Sequence, residues 1–116
     1  MTIKHDTEKL RPSLVPMESL LEVIKVLEFG AKKYSVDNWK TVPDGKQRYL
    51  DAALRHLMAV ANGDVNDIES ELPHMAHAIC CGLFYLWFDN GGNHISLSDS
   101  DFEKMYTCPT PVFKVD

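Results

Sequence analysis

The chain has 116 residues, a formal charge of -5 at pH 7 (12 Lys+Arg against 17 Asp+Glu) and 45% hydrophobic residues. That length suits one domain burying about two thirds of its unfolded surface, and with no basic cluster beyond Lys32-Lys33 the acidic balance excludes a duplex nucleic-acid binder, leaving small anionic ligands that a metal or a few cations could neutralise. The odd cysteine count (Cys80, Cys81, Cys108) argues against a disulfide framework, and no apolar run reaches a membrane span, so a soluble cytoplasmic protein is expected, with no membrane partner.

Residues 1–16 show little periodicity and read as an extended arm ending at Pro16. From 17 to about 34, Met17, Leu20, Leu21, Ile24, Leu27 and Ala31 recur at three- and four-residue steps, the pattern of an amphipathic helix. Asp37, Asn38, Trp39, Pro43 and the Asp44-Gly45 pair mark 35–45 as a long functional loop, whose Trp needs something to pack on. A second helix is predicted at about 46–62, with Leu50, Leu54, Leu57 and Met58 on one side and Gly63 in the C′ position. After an acidic turn at 64–70, Ser70 reads as the N-cap of a third helix over about 71–88, with Pro73 in its first turn, stopping at Asn90-Gly91. That helix is apolar all round, which predicts the centre of a bundle or of a subunit interface and hence a homodimer or homotetramer. A short acidic helix is expected at 99–106 and an extended end from Cys108 onward, so that 94–116 adds a short helix and a tail to one all-α domain spanning 1–116.

The densest chemistry lies in 67–77, where Asp67, Glu69, Glu71, His74 and His77 precede the apolar run. His74 and His77 fall at i and i+3 on one helical face and can converge on one ligand, although acidic residues there also complement the helix dipole. Glu18 and Glu22 stack one turn apart on the first helix, and either join this cluster around Mg²⁺ or Mn²⁺ or form a solvated stripe with Lys25. Oxygen ligands favour Mg²⁺ or Mn²⁺, and imidazole moves the preference toward Mn²⁺ or later metals. A zinc set of His74, His77 and Cys80 or Cys81 is an alternative, and a Cys–His nucleophile a weaker one, because both thiols sit inside the helix. Lys32, Lys33 and Arg55 are candidate phosphate contacts, and Trp39 with Tyr49 could stack a base.

Taken in order, Asp6-x-x-Lys9-x-Arg11, Leu14-x-Pro16, Phe29-Gly30-Ala31-Lys32-Lys33-Tyr34, Asn38-Trp39, Arg55-His56-Leu57 and Glu69-Ser70-x-Leu72-Pro73-His74-x-x-His77 make a recognisable series. It resembles the phage dATP/dGTP diphosphohydrolase N-terminal-domain family, a distant relative of the MazG-like all-α nucleoside triphosphate pyrophosphohydrolases. The resemblance implies a MazG-like helical bundle of three main helices plus short extras, completed by oligomerisation, and a phage protein acting in host cytoplasm. It also implies metal-dependent hydrolysis of a purine deoxynucleoside triphosphate such as dGTP or dATP to monophosphate and pyrophosphate. The broader MazG pattern has Glu-x-x-Glu and Glu-x-x-Asp, where this chain has Glu18-x-x-x-Glu22 and His74-x-x-His77. Carried over by position, Glu18 and Glu22 are metal ligands and His74 and His77 are ligands or phosphate contacts; the reading built on this makes Glu18 and Glu22 catalytic, completes the metal site with Asp67, His74 and His77, and assigns Lys33, Asn38, Trp39, Arg55 and His56 to substrate. The competing readings are a protein of the same fold that holds nucleotide without turning it over, and a purely structural helical adaptor.

Overall fold

The computed structural model describes residues 9–91. They form three α-helices, α1 (Met17–Lys33), α2 (Gly45–Ala61) and α3 (His74–Asp89), and two 3-10 turns, Pro12–Leu14 and Asn38–Thr41, with no β-sheet among them. The all-α class and three main helices therefore stand as expected. The predicted helix at 99–106, the tail around it, Cys108 and the first eight residues of the arm lie outside the described residues. Of those described, 9–17 fall in one compact unit and 18–91 in another. In the first, the arm is locally wound rather than extended throughout: the Val15 N–H donates to the Pro12 carbonyl at 3.0 Å and closes the short turn.

In the second unit the core is small. Val23 and Val26 of α1 meet Ala76 and Cys80 of α3, with Leu20, Leu27, Leu72 and Phe84 partly buried around them. The α1 stripe read from periodicity is thus only half buried, since Leu21 and Ile24 remain exposed. The helix carries more apolar positions than one neighbour can cover.

α2 and α3 pack along their whole length, and aromatic side chains lock one end. Trp39, carried by the 3-10 turn at Asn38–Thr41, stacks on Phe84 at 4.1 Å between ring centroids and meets Trp87 edge-on at 5.1 Å. Tyr49 reaches Phe84 at 5.0 Å from the α2 side. The loop Trp therefore has the packing partner its size demands. Gly45 starts α2 under the Phe88 ring, which a Cβ there would overlap. Because Trp39, Tyr49 and Trp87 hold that ring in place, Gly45→Ala is expected to lower stability by about 1–3 kcal/mol through overpacking. Urea unfolding of the variant checks this.

α2 stops where Gly63 predicts. Gly63 takes φ 89°, its N–H donates to the Val60 carbonyl at 3.0 Å and the Asp64 N–H to the Ala59 carbonyl at 2.9 Å, a Schellman closure that leaves Asp64 at a fixed place beyond the helix. α3 starts later than its sequence suggests. Ser70 does not cap it; Pro73 occupies the N-cap and His74 is the first helical residue. Proline disfavours helical geometry at the residue before it, so Leu72 cannot belong to the helix. Ser70 is used instead inside the preceding loop. Among the described residues no helix is long and apolar enough to cross a membrane.

Candidate active site

The loop from Asp64 to Pro73 is built around one carboxylate. Asp67 Oδ2 accepts from the Ser70 N–H at 2.9 Å, the Glu69 N–H at 3.2 Å and the Ser70 hydroxyl at 3.1 Å. The Asp67 N–H donates to the Leu72 carbonyl and the His74 N–H to the Val65 carbonyl, both at 2.8 Å, which ties the loop back on itself. Glu71 accommodates the reversal at φ 62°. Burial opposes ionisation of Asp67, but hydrogen bonds from Ser70 and the neighbouring His77 and His56 outweigh it and hold the carboxyl below its usual range.

Three imidazoles gather against this loop. His56, projecting from α2, stacks on His77 with 4.7 Å between centroids and 16° between planes, and its Nδ1 stands 2.8 Å from His74 Nδ1. His74 Nε2 lies 3.2 Å from Asp64 Oδ2. A carboxylate only accepts, so His74 donates Nε2–H to Asp64. The same reasoning gives the Ser70 proton to Asp67 and lets Ser70 Oγ accept from His77 Nε2–H at 2.7 Å and from the Leu72 N–H at 3.2 Å. Burial lowers the His56 pKa, with the nearby His77 and His74 adding to the effect; burial likewise lowers that of His77, although Asp67 pulls the other way. Both rings are accordingly neutral at neutral pH, the form that ligates metals.

His56, Asp67 and His74 each offer one ligand atom, and these atoms lie within 4.8 Å of one another. Two ligands of one ion at about 2.0–2.2 Å stand at most about 4.4 Å apart, so this set could hold a single ion with a small inward shift of its side chains. The donor chemistry fits as well: two imidazoles, that of His56 kept neutral by burial, and an ionised carboxylate, with the His74 ring oriented by an outer carboxylate, Asp64, as metal-bound histidines commonly are. This mixed set suits Mn²⁺ and later divalent metals better than Mg²⁺, which prefers oxygen ligands.

Next to the cluster a cavity of about 870 Å³ opens between α1, the 3-10 turn at Asn38–Thr41, α2 and α3. Trp39, Tyr49 and Phe84 give it an aromatic wall, while Lys33, Arg48 and Arg55 bring positive charge among the carboxylates of Glu28, Asp37 and Asp51. His77 lines the cavity while its ring stacks on His56, so one imidazole stands between the cavity and the ligand set. Lys33 also bonds Glu69 at 2.6 Å, joining the end of α1 to the acidic loop. Cys80 and Cys81 border the cavity too, but burial pushes their thiols up to about 12 and about 11. Neither is a nucleophile at neutral pH. Iodoacetamide at pH 8 should leave both unlabelled in the native protein and label both after denaturation, as peptide mapping would show.

Residues 2–97 match the protein family described as dATP/dGTP diphosphohydrolase, N-terminal. The chain belongs to that family. It is also 35% identical over 88 residues to a protein of Salmonella phage PMBT28 named dATP/dGTP diphosphohydrolase, an alignment that covers 76% of this chain and 30% of that relative. The chain thus spans under a third of the curated relative it matches. No solved structure matches it.

For this family member, the structure gathers the sequence candidates into two groups and leaves a third apart. Lys33, Asn38, Trp39, Arg55 and His77 line the cavity. Asp67 and His74 form the ligand set with His56, a residue the sequence suggested for substrate rather than metal. Glu18 is exposed in the first turn of α1 and Glu22 pairs with Lys25 at 3.2 Å; neither belongs to the ligand set or the cavity wall. Three contributors escaped the sequence reading. Asp64 was visible only as part of an acidic turn, and Arg48 and Asp51 join Arg55 in a polar i, i+3, i+7 row on α2 that periodicity could have revealed.

Proposed function

We propose that the chain is a metal-dependent nucleoside triphosphate pyrophosphohydrolase acting on purine deoxynucleotides such as dGTP and dATP, with His56, Asp67 and His74 holding the metal, Mn²⁺ in preference to Mg²⁺. The observation that carries the reading is the adjacency of a ligand-competent His/His/Asp set to a cavity that combines an aromatic wall with three cations. The family match and the name of the phage relative supply the substrate class. When bound, the ion supplies charge for phosphate oxygens and acidifies a water.

The chain's own residues do the rest. Trp39 offers a ring face to a purine while Phe84 backs the other. Lys33, Arg48 and Arg55 offset the triphosphate charge, which a protein of net charge -5 otherwise repels. His77, its Nε2–H held by Ser70 on one side and its ring by His56 on the other, accepts a proton at the cavity wall through Nδ1. Water attack at the α phosphorus yields monophosphate and pyrophosphate. A nucleotide panel with Mn²⁺ and with Mg²⁺, scored for pyrophosphate against single phosphate, tests the reaction class.

The position of Glu18 and Glu22 outside both the ligand set and the cavity wall favours one further reading, that the chain binds nucleotide without turning it over. Stoichiometric retention of ligand with no product separates that from catalysis. The α1 carboxylates have their own test. Glu22→Gln abolishes hydrolysis if they act on substrate or metal and leaves it intact if the ion pair with Lys25 is their whole role; the geometry favours the second outcome.

A further inference from the structure

α1 carries one glycine, Gly30, in its interior. The Gly30 carbonyl accepts the Tyr34 N–H at 2.9 Å, so helical bonding runs past it and it ends nothing. A glycine inside a helix costs stability relative to alanine, because it gives up the most backbone freedom on folding. Two needs of the fold would justify that cost, and neither applies here. The φ of Gly30 is not positive, and a Cβ there would meet no atom of the described residues within 4 Å. Gly45 shows the contrast, since a Cβ on it would overlap the Phe88 ring. The remaining use of a glycine is to let something outside the fold approach the backbone closely.

The open space beside Gly30 belongs to the cavity, which Gly30 lines together with Val26 and Leu27 one turn earlier and Lys33 and Tyr34 one turn later. Gly82 of α3 also has open space where a Cβ would stand, but it is not part of the cavity wall. We propose, on the nucleotide reading of the cavity, that the bound nucleotide lies directly against the α1 backbone at Gly30 and that the part seated there is its sugar. The surface at Gly30 is a bare Cα beside Leu27 and Ala31, with its carbonyl engaged by Tyr34, so it presents carbon rather than a polar group. Phosphates are drawn instead to Lys33, Arg48 and Arg55, and a base to a ring face such as that of Trp39. The carbon-rich deoxyribose that joins the two is the part matched to Gly30, and a methyl at that position would press into it.

Gly30→Ala and Gly82→Ala in the full chain test this by thermal melting and by calorimetric titration in Mn²⁺. The titrants are an α,β-imido analogue of dGTP, which resists the proposed cleavage, and inorganic triphosphate, which has no sugar. Both variants should melt a few degrees above wild type, since each replaces a helix-interior glycine where a methyl has room. Gly30→Ala should nevertheless bind the dGTP analogue at least about 5-fold more weakly, the low end of the effect of forcing an extra methyl into a packed contact. Its affinity for inorganic triphosphate should be that of wild type, and Gly82→Ala should change neither affinity. Unchanged analogue binding by Gly30→Ala, a lowered melting temperature in that variant, an equal loss for inorganic triphosphate, or an equal loss in Gly82→Ala would each overturn the sugar contact while wild-type binding of the analogue upheld the nucleotide reading. A wild type that binds no analogue would remove both.

Discussion

His74→Ala should lower Mn²⁺ affinity at least about 100-fold, since loss of an outer partner of a ligating histidine already costs about 10–100-fold and here the ligand itself goes. Asp64→Ala should show that smaller effect, because it removes only the outer acceptor that orients the His74 ring through Nε2–H. The graded pair separates a metal centre from a hydrogen-bonded packing cluster. In a packing cluster both substitutions would lower stability and neither would change metal affinity. Isothermal titration with Mn²⁺, beside urea unfolding without metal, reads both quantities. Alanine at the first position of α3 is well tolerated by the helix, so a large loss of fold in His74→Ala would point to the ring contacts with His56 rather than to helix propensity.

Trp39→Ala should weaken purine nucleotide binding by about 1–3 kcal/mol, roughly 5- to 150-fold in Kd, the usual worth of a base stacked on an aromatic side chain. It should also destabilise the protein, because Phe84, Trp87 and Phe88 all lean on the indole. Trp39→Phe divides the two effects: it keeps an aromatic face against Phe84 and should hold most of the stability while losing only part of the affinity. Equal nucleotide affinity in wild type, Trp39→Phe and Trp39→Ala would remove the aromatic wall from the site. Fluorescence or calorimetric titration with the cation present measures it.

Much of the fold is legible in the sequence because it rests on local rules. Three- and four-residue apolar spacing marks α1 and α2 within a residue or so, and Gly63 stops α2 for the backbone reason its position suggests. The start of α3 is misjudged because Ser70 has two uses, capping a helix or closing a loop, and the choice depends on Asp67 and Pro73 together. The site is half legible. Asp67 and His74 stand out as a polar cluster before an apolar run, whereas His56 is a lone histidine on α2 whose partner is 18 residues away, and only the antiparallel packing of α2 on α3 brings their Nδ1 atoms to 2.8 Å. For Glu18 and Glu22 helical spacing stacks both on α1 and also brings Lys25 within reach of Glu22, one of the two arrangements the sequence offered, and the structure has that ion pair at 3.2 Å.

The most direct test of the whole account is product analysis by ion chromatography of dGTP incubated with the full chain and Mn²⁺. The account predicts dGMP and pyrophosphate in equal amounts, many turnovers per chain, loss of both products in EDTA, and the same loss with His74→Ala in Mn²⁺. Release of single phosphate, undiminished turnover in EDTA, or full activity in folded His74→Ala would contradict it.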